Sequence, residues 1–226
     1  MTFSILARCH ETGAFGVAVT SSSIAVASRC GRWAQAGVGA VATQNITDPA
    51  LGAIGLDLLA RGYDAQATLN SMLGASSHSE FRQLAVLDAY GRSAYHRGRH
   101  TLGIHAMASR PGCVACGNLL ANDAVPEAMV AAFEAQPQAD FAERVLSALE
   151  AGLAAGGETA PVNAAGLWIV ERLRWPVIDL RVDWQEEPIA ELRRIFEVYR
   201  PQKDDYVLRA IDPARAPGFA SAGDCP

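Results

Sequence analysis

Thr2 has the most chemical reach of any residue in this chain. The chain opens Met1-Thr2-Phe3-Ser4-Ile5, and an initiator methionine is normally clipped when a residue as small as threonine follows it. A threonine at a free N-terminus carries nucleophile and base on one residue. Its hydroxyl can attack an amide carbonyl while its own α-amine, with a pKa of about 7.7–8.0, takes the proton. Threonine also follows methionine in many chains without catalytic intent, so the rest of the sequence has to decide.

Other constellations are weaker. Ser21, Ser22 and Ser23 follow an apolar stretch, but no Gly-x-Ser-x-Gly elbow occurs and no histidine lies near in sequence. Such clusters are usually loop or cap residues, with a serine nucleophile as the sharper alternative. Cys113 and Cys116 form a single CxxC, with His100 and His105 upstream. On a strand, residues three apart face opposite sides, so two buried free thiols are the expectation and a metal site the alternative. No metal and no cofactor is therefore assigned. His96, His100 and His105 with Arg97, Arg99 and Arg110 read either as a solvated hairpin and loop or as a rim for a substrate carboxylate. Asp179 and Asp183 flank Arg181 on one strand face, as an ion-paired triplet or as a polar wall of a site.

Composition narrows the chemistry further. Of 19 basic residues only Lys203 is a lysine, and no Gly-rich loop precedes it, which removes P-loop and pyridoxal-phosphate readings. A net charge of −5 argues against a nucleic-acid surface. No apolar run is long enough to span a membrane, and Arg8, His10 and Glu11 interrupt the start too early for a signal peptide. The five cysteines are odd in number and are expected to be reduced in a cytoplasmic protein. Trp33, Trp168, Trp175 and Trp184 read as core or subunit-interface residues, and a homo-oligomer, dimer or higher, is the base expectation.

The elements that must position Thr2 follow from pattern. Residues 2–20 predict a β-hairpin turning at His10-Glu11-Thr12-Gly13. Alternation puts Ile5 and Ala7 on one face and Thr2, Ser4, Leu6 and Arg8 on the other. A small-residue strand is expected over 36–43. Asp48-Pro49 then opens a helix with Leu51, Ile54, Leu58 and Leu59 as its stripe, closed near Arg61-Gly62. A second helix is expected over about 64–73, and a hairpin from Phe81–Asp88 to Arg92–Arg97. Cys113–Leu119 reads as a buried strand, and 123–153 as two helices split near Pro137. Leu167–Val170 and Val177–Val182 read as strands, and Pro188–Tyr199 as a helix. Strands and helices in separate runs argue for an α+β fold with antiparallel sheets. Residues 1–200 are expected to form one domain, with 201–226 as a C-terminal extension packed on it or running over it.

Met1-Thr-Phe-Ser-Ile5, Ala7-Arg8, Thr12-Gly13 and Phe15-Gly-Val-Ala-Val19 carry a recognisable pattern. It continues in Ala36–Asn45, Asp48-Pro49, Gly55–Leu59, Gly117–Leu120, Asp179–Asp183 and Pro188–Leu192. Over nearly its whole length the chain resembles a bacterial domain-of-unknown-function family of the N-terminal-nucleophile (Ntn) hydrolase-like superfamily. The resemblance implies a four-layer αββα sandwich with two mainly antiparallel sheets. It places Thr2 at the nucleophile position and makes Gln44, Asn45 and Asn118 candidate oxyanion donors. Ser4 and Ser21 are further polar candidates, and Asp179 and Arg181 are candidates for substrate binding. The chain departs from the pattern twice. No lysine precedes Lys203, although threonine enzymes of this kind commonly hold one near the nucleophile. Gly156–Asn163 also stands where many members carry an Arg- and Gln-containing stretch. The expected function is an amidohydrolase for a small amide or peptide-like substrate, without nucleic-acid or membrane partners. The alternative is a non-catalytic ligand-binding or assembly protein on the same fold.

Overall fold

A computed structural model describes residues 1–218. Cys225 and the end of the expected C-terminal extension lie outside the described residues.

The first strand, β1 (Thr2–Arg8), turns through Cys9–Ala14 into β2 (Phe15–Ser21). The Cys9 amide donates to Ala14 O at 2.8 Å, and Gly13 takes φ 72°, a conformation open to glycine at little steric cost. A short β3 (Trp33–Gln35) pairs with β4 (Gly39–Asn45). The latter starts three residues later than alternation predicts, because Gly37 and Gly39 adopt positive φ and spend 36–38 on the turn. Helices α1 (Pro49–Ala60) and α2 (Ala65–Ala75) begin at Asp48 and Asp64, whose carboxylates accept from Ala50 N at 3.1 Å and Ala67 N at 2.8 Å. The hairpin of β5 (Arg82–Asp88) and β6 (Ser93–Arg97) follows, then β7 (Ile104–Arg110) and β8 (Cys113–Leu120). Two helices, α3 (Val125–Ala135) and α4 (Phe141–Ala154), precede β9 (Ala164–Val170) and β10 (Ile178–Val182). The described chain closes with α5 (Pro188–Tyr199) and α6 (Lys203–Ile211).

The sequence pattern does not predict two of the elements. Ile104–Arg110 is an edge strand, not a loop, and Ile104 and Met107 on it stay exposed. Lys203–Ile211 is a helix tied back to the domain: Tyr206 stacks on Tyr199 at 5.8 Å and Lys203 pairs with Glu171 at 3.1 Å.

The fold is α+β with two antiparallel sheets, one ordered β10-β9-β2-β1-β8-β7 and the other β3-β4-β5-β6. Three apolar layers hold it together. Phe3, Ile5 and Ala7 of β1 point into a core shared with α3, α4 and α5. Leu6, on the opposite face, packs with Phe15 and Val17 against Ala40, Ala42, Ala85 and Leu87 of the second sheet. Val41, Leu84 and Val86 on that sheet's outer face meet α1 and α2. The alanines of β4 and β5 leave little volume between the sheets, so the intersheet layer is thin.

The anchor of β1 is Phe3, fully buried beside α4. A Cβ on Gly152 of α4 would lie 2.9 Å from its ring, and one on Gly117 of β8 would lie 3.0 Å from its Cβ. The two glycines make room for the phenyl group, and its burial fixes which face Thr2 presents. Phe3→Ala should cost about 3–5 kcal/mol in urea unfolding, as for other large-to-small core changes. A loss below about 1 kcal/mol would show that Phe3 is not the anchor.

Candidate functional site

Strand directions bring four chain segments to one end of the six-stranded sheet. The start of β1, the end of β2, the end of β8 and the start of β9 lie side by side there. Thr2 pairs with Asn118, Phe3 with Thr20, and Ser21 with Ala164. Thr2 and Asn118 share a face because directly paired residues in a sheet do. Both are buried.

The Met1 carbonyl is the focus of this end. It accepts from the Thr2 hydroxyl and, at 2.5 Å, from the Ser21 hydroxyl. Ser21 Oγ in turn accepts from Ser23 N at 2.9 Å, and the Ser21 carbonyl accepts from Asn163 N at 2.8 Å, so the hydroxyl is held in place from both sides. A Ser21 hydroxyl aimed at a carbonyl oxygen is a donor of the kind that stabilises an oxyanion.

Glu158 completes the site and was not among the residues singled out from sequence. Gly156 and Gly157 take φ 123° and 58°, which turns the chain after α4 back along β8. Ala121 N then donates to Gly157 O, Thr159 N donates to Leu119 O, each at 3.0 Å, and Glu158 bridges Leu120. The Glu158 carboxylate accepts from Ser22 N at 3.2 Å, while its Oε1 is buried without a partner. Burial pushes its pKa up to about 7, opposed by the Ser22 hydrogen bonds and by the positive charge of the Met1 amine. One sequence signal was available: Glu158 is the only charged residue between Glu150 and Glu171. Beside it, the Thr159 hydroxyl lies 3.3 Å from Leu119 O and 3.7 Å from Met1 Sδ, two acceptors for one proton. Leu119, at the head of this bend, holds φ 51°, a strained value for a branched residue and the kind of strain found near functional sites.

Below Thr2 runs a buried amide network between the sheets. Gln83 Nε2 donates to Gly117 O at 2.8 Å and to the Tyr95 hydroxyl at 2.9 Å, so Gln83 Oε1 must face the other way. That oxygen accepts from Gln44 Nε2 at 2.7 Å and Asn118 Nδ2 at 2.9 Å. Gln44 Oε1 accepts from Ser4 Oγ at 2.8 Å. Burial raises the Tyr95 phenol, and pushes the Cys116 thiol up to about 12, so both remain neutral.

This wiring corrects several oxyanion expectations. Gln44 is fully buried and points its NH2 at Gln83 and Cys116, away from the Met1 carbonyl. Asn118 commits its NH2 to Gln83 and keeps a buried, unpartnered Oδ1, so it offers an acceptor. Asn45 braces the end of β4, donating to Phe81 O at 2.6 Å and accepting from Leu102 N at 3.2 Å. Ser4 serves the network and not the carbonyl. Of the proposed donors, only Ser21 reaches it.

Asp179 and Arg181 are not brought here. Asp179 aligns through Trp168 and Val17 with Leu6, three strands over and four residues along, roughly 20 Å from Thr2. Both are exposed, and among the described residues no ion pair joins Arg181 to Asp179 or Asp183. Cys113 faces the helices and Cys116 the second sheet, so the two thiols do not converge on one ion. The basic stretch is largely paired off: Arg99 with Glu80 at 2.9 Å, and Arg110 with Glu127 at 2.5 Å. A cavity of about 620 Å³ opens at the other end of β1, around Cys9–Thr12, away from Thr2.

Mixed α+β layering and this clustered strand end define a class, and its family follows from sequence. Residues 2–192 match a family of unknown function, DUF1028, and the chain belongs to that family. The crystal structure of protein SPO2555 from Silicibacter pomeroyi, of the same family, is similar at 30% identity with a TM-score of 0.78, covering 88% of each chain. No curated protein matches the chain.

Glu158 sets a pH dependence. Its folded pKa lies above the ordinary 4.5, so between about 4.5 and 7 the folded chain holds a proton that the unfolded chain has released. Its contribution to stability therefore falls as pH rises through that window. Glu158→Gln should be more stable relative to wild type at pH 8 than at pH 4.5, by about 3 kcal/mol in chemical denaturation. An equal difference at both pH values would contradict the buried, unpaired carboxylate.

Proposed function

We propose that this chain is an N-terminal-threonine amidohydrolase that cleaves a small amide or peptide-like substrate. In this reading Met1 is removed and Thr2 Oγ1 attacks the substrate carbonyl. The freed Thr2 amine takes the hydroxyl proton and returns it to the leaving amine. The Ser21 hydroxyl donates to the developing oxyanion. Water then releases the acyl group. Asn118 Oδ1, on the face of Thr2, supplies an acceptor for the freed amine.

One observation carries the proposal: two hydroxyls, of Thr2 and Ser21, donate to a single carbonyl at the head of β1. The order of helices, sheet, sheet and helices, with Thr2 opening an interior strand, supports placing the fold among Ntn-hydrolase-like sandwiches. No helix among the described residues is long and apolar enough to cross a membrane, and the four described cysteines are free. We further place the protein in the cytoplasm, as a homo-oligomer.

On protein whose chain begins at Thr2, Thr2→Ala should lower hydrolysis of a panel of amino-acid and acyl p-nitroanilides by on the order of 10³-fold or more, with unchanged melting temperature. Thr2→Ser should keep most of the rate, which should rise with pH through about 7.7–8.0 as the amine loses its proton. Full activity in Thr2→Ala would overturn Thr2 as the nucleophile, and no hydrolysis by the Thr2 protein itself would favour a ligand-binding role.

A further inference from the structure

Met1 is itself an aminoacyl group attached to Thr2. Its carbonyl oxygen takes the Thr2 and Ser21 hydroxyls. Its sulfur lies 3.7 Å from Thr159 Oγ1. Its amine lies near enough to Glu158 for its charge to act on that carboxylate, whose Oε1 is buried with no partner. In an acyl-enzyme the acyl group would hang from Thr2 Oγ1, not from Thr2 N. Both atoms belong to one residue and Oγ1 already touches the Met1 carbonyl, so the acyl group's α-carbon substituents fall in the same surroundings.

We propose that the site accepts amides of α-amino acids with a free α-ammonium and an unbranched, medium-length side chain. Glu158 is the anchor for the ammonium, and Thr159 lines the side-chain subsite. This rests on the hydrolytic reading above and specifies its substrate. The reason for the free amine is electrostatic. A buried carboxylate oxygen without a partner is costly, and a substrate ammonium satisfies it, whereas an acylated amine brings bulk and no charge. In the reaction Thr2 Oγ1 forms an ester to the aminoacyl carbon as the C–N bond to the leaving amine breaks. The hydroxyl proton passes through the Thr2 amine to that leaving group. Water then cleaves the ester, returning a proton to Oγ1 and releasing the free amino acid.

The test uses protein whose chain begins at Thr2, verified by intact mass. L-Methionine p-nitroanilide and its N-acetyl derivative are compared as substrates. L-Methioninamide and N-acetyl-L-methioninamide are compared by calorimetry as ligands of the Thr2→Ala variant. Acetylation should lower kcat/KM by about 100-fold and abolish measurable binding. Glu158→Gln, which keeps the acceptor for Ser22 N, should raise KM for the free-amine substrate at least about 30-fold with little change in kcat. It should narrow the preference for the free-amine over the acetylated substrate by a similar factor. Thr2-dependent hydrolysis of the acetylated substrate at an equal rate would overturn the substrate class while leaving the hydrolase. Glu158-dependent binding of L-methioninamide without hydrolysis of either substrate would uphold the recognition and overturn the hydrolase. Binding of neither amide would overturn this inference.

Discussion

Everything at the head of β1 depends on which way one strand faces. Side chains on a strand alternate, so a slip of one residue would turn Thr2 into the helix-side core and bring Phe3 into the polar site. The phenyl group prevents that. It is fully buried, fits a space kept open by Gly117 and Gly152, and takes Ile5 and Ala7 with it into the same core. With the apolar residues fixed on one face, Thr2 and Ser4 have to face the second sheet. A nucleophile candidate is thus aimed by hydrophobic burial, at a position that contributes little to the core itself.

The second constraint is hydrogen-bond satisfaction between the sheets. Ser4, Gln44, Gln83 and Asn118 are all buried, and an unsatisfied amide there is expensive. Their mutual bonding fixes each amide's orientation by elimination, starting from the Gly117 carbonyl, which can only accept. Of the buried polar atoms left without a partner, Asn118 Oδ1 and Glu158 Oε1 stand out by their place. Both are acceptors, and both lie at the Thr2 end. A site with spare acceptors suits ammonium or N–H groups, while the Ser21 hydroxyl provides the donor for a carbonyl.

Much of the scaffold was legible because local chemistry and tertiary packing agree. Asp48-Pro49 marks the start of α1, the alternation of residues 2–20 gives the first hairpin, and Pro188–Tyr199 appears as read. What escaped was set by context. The edge strand β7 has no buried alternation to reveal it, and α6 begins with Lys203-Asp204-Asp205 and buries none of its residues fully. The site was half legible. Thr2 and Ser21 could be named from type and position. Glu158 stood out only as a lone charge in an uncharged stretch, because its place is set by a pairing with Leu120 and by a hydrogen bond to Ser22, 136 residues away in sequence. Gln44 and Asn118 were read as donors because sequence carries no information about which end of an amide a network will consume.

The account stands on a free amine at Thr2. Intact mass with N-terminal sequencing, on protein purified from its own cells, measures this directly. The account predicts a chain that begins at Thr2 with an unmodified amine. Met1 present on essentially every molecule would leave that nitrogen an amide and contradict it.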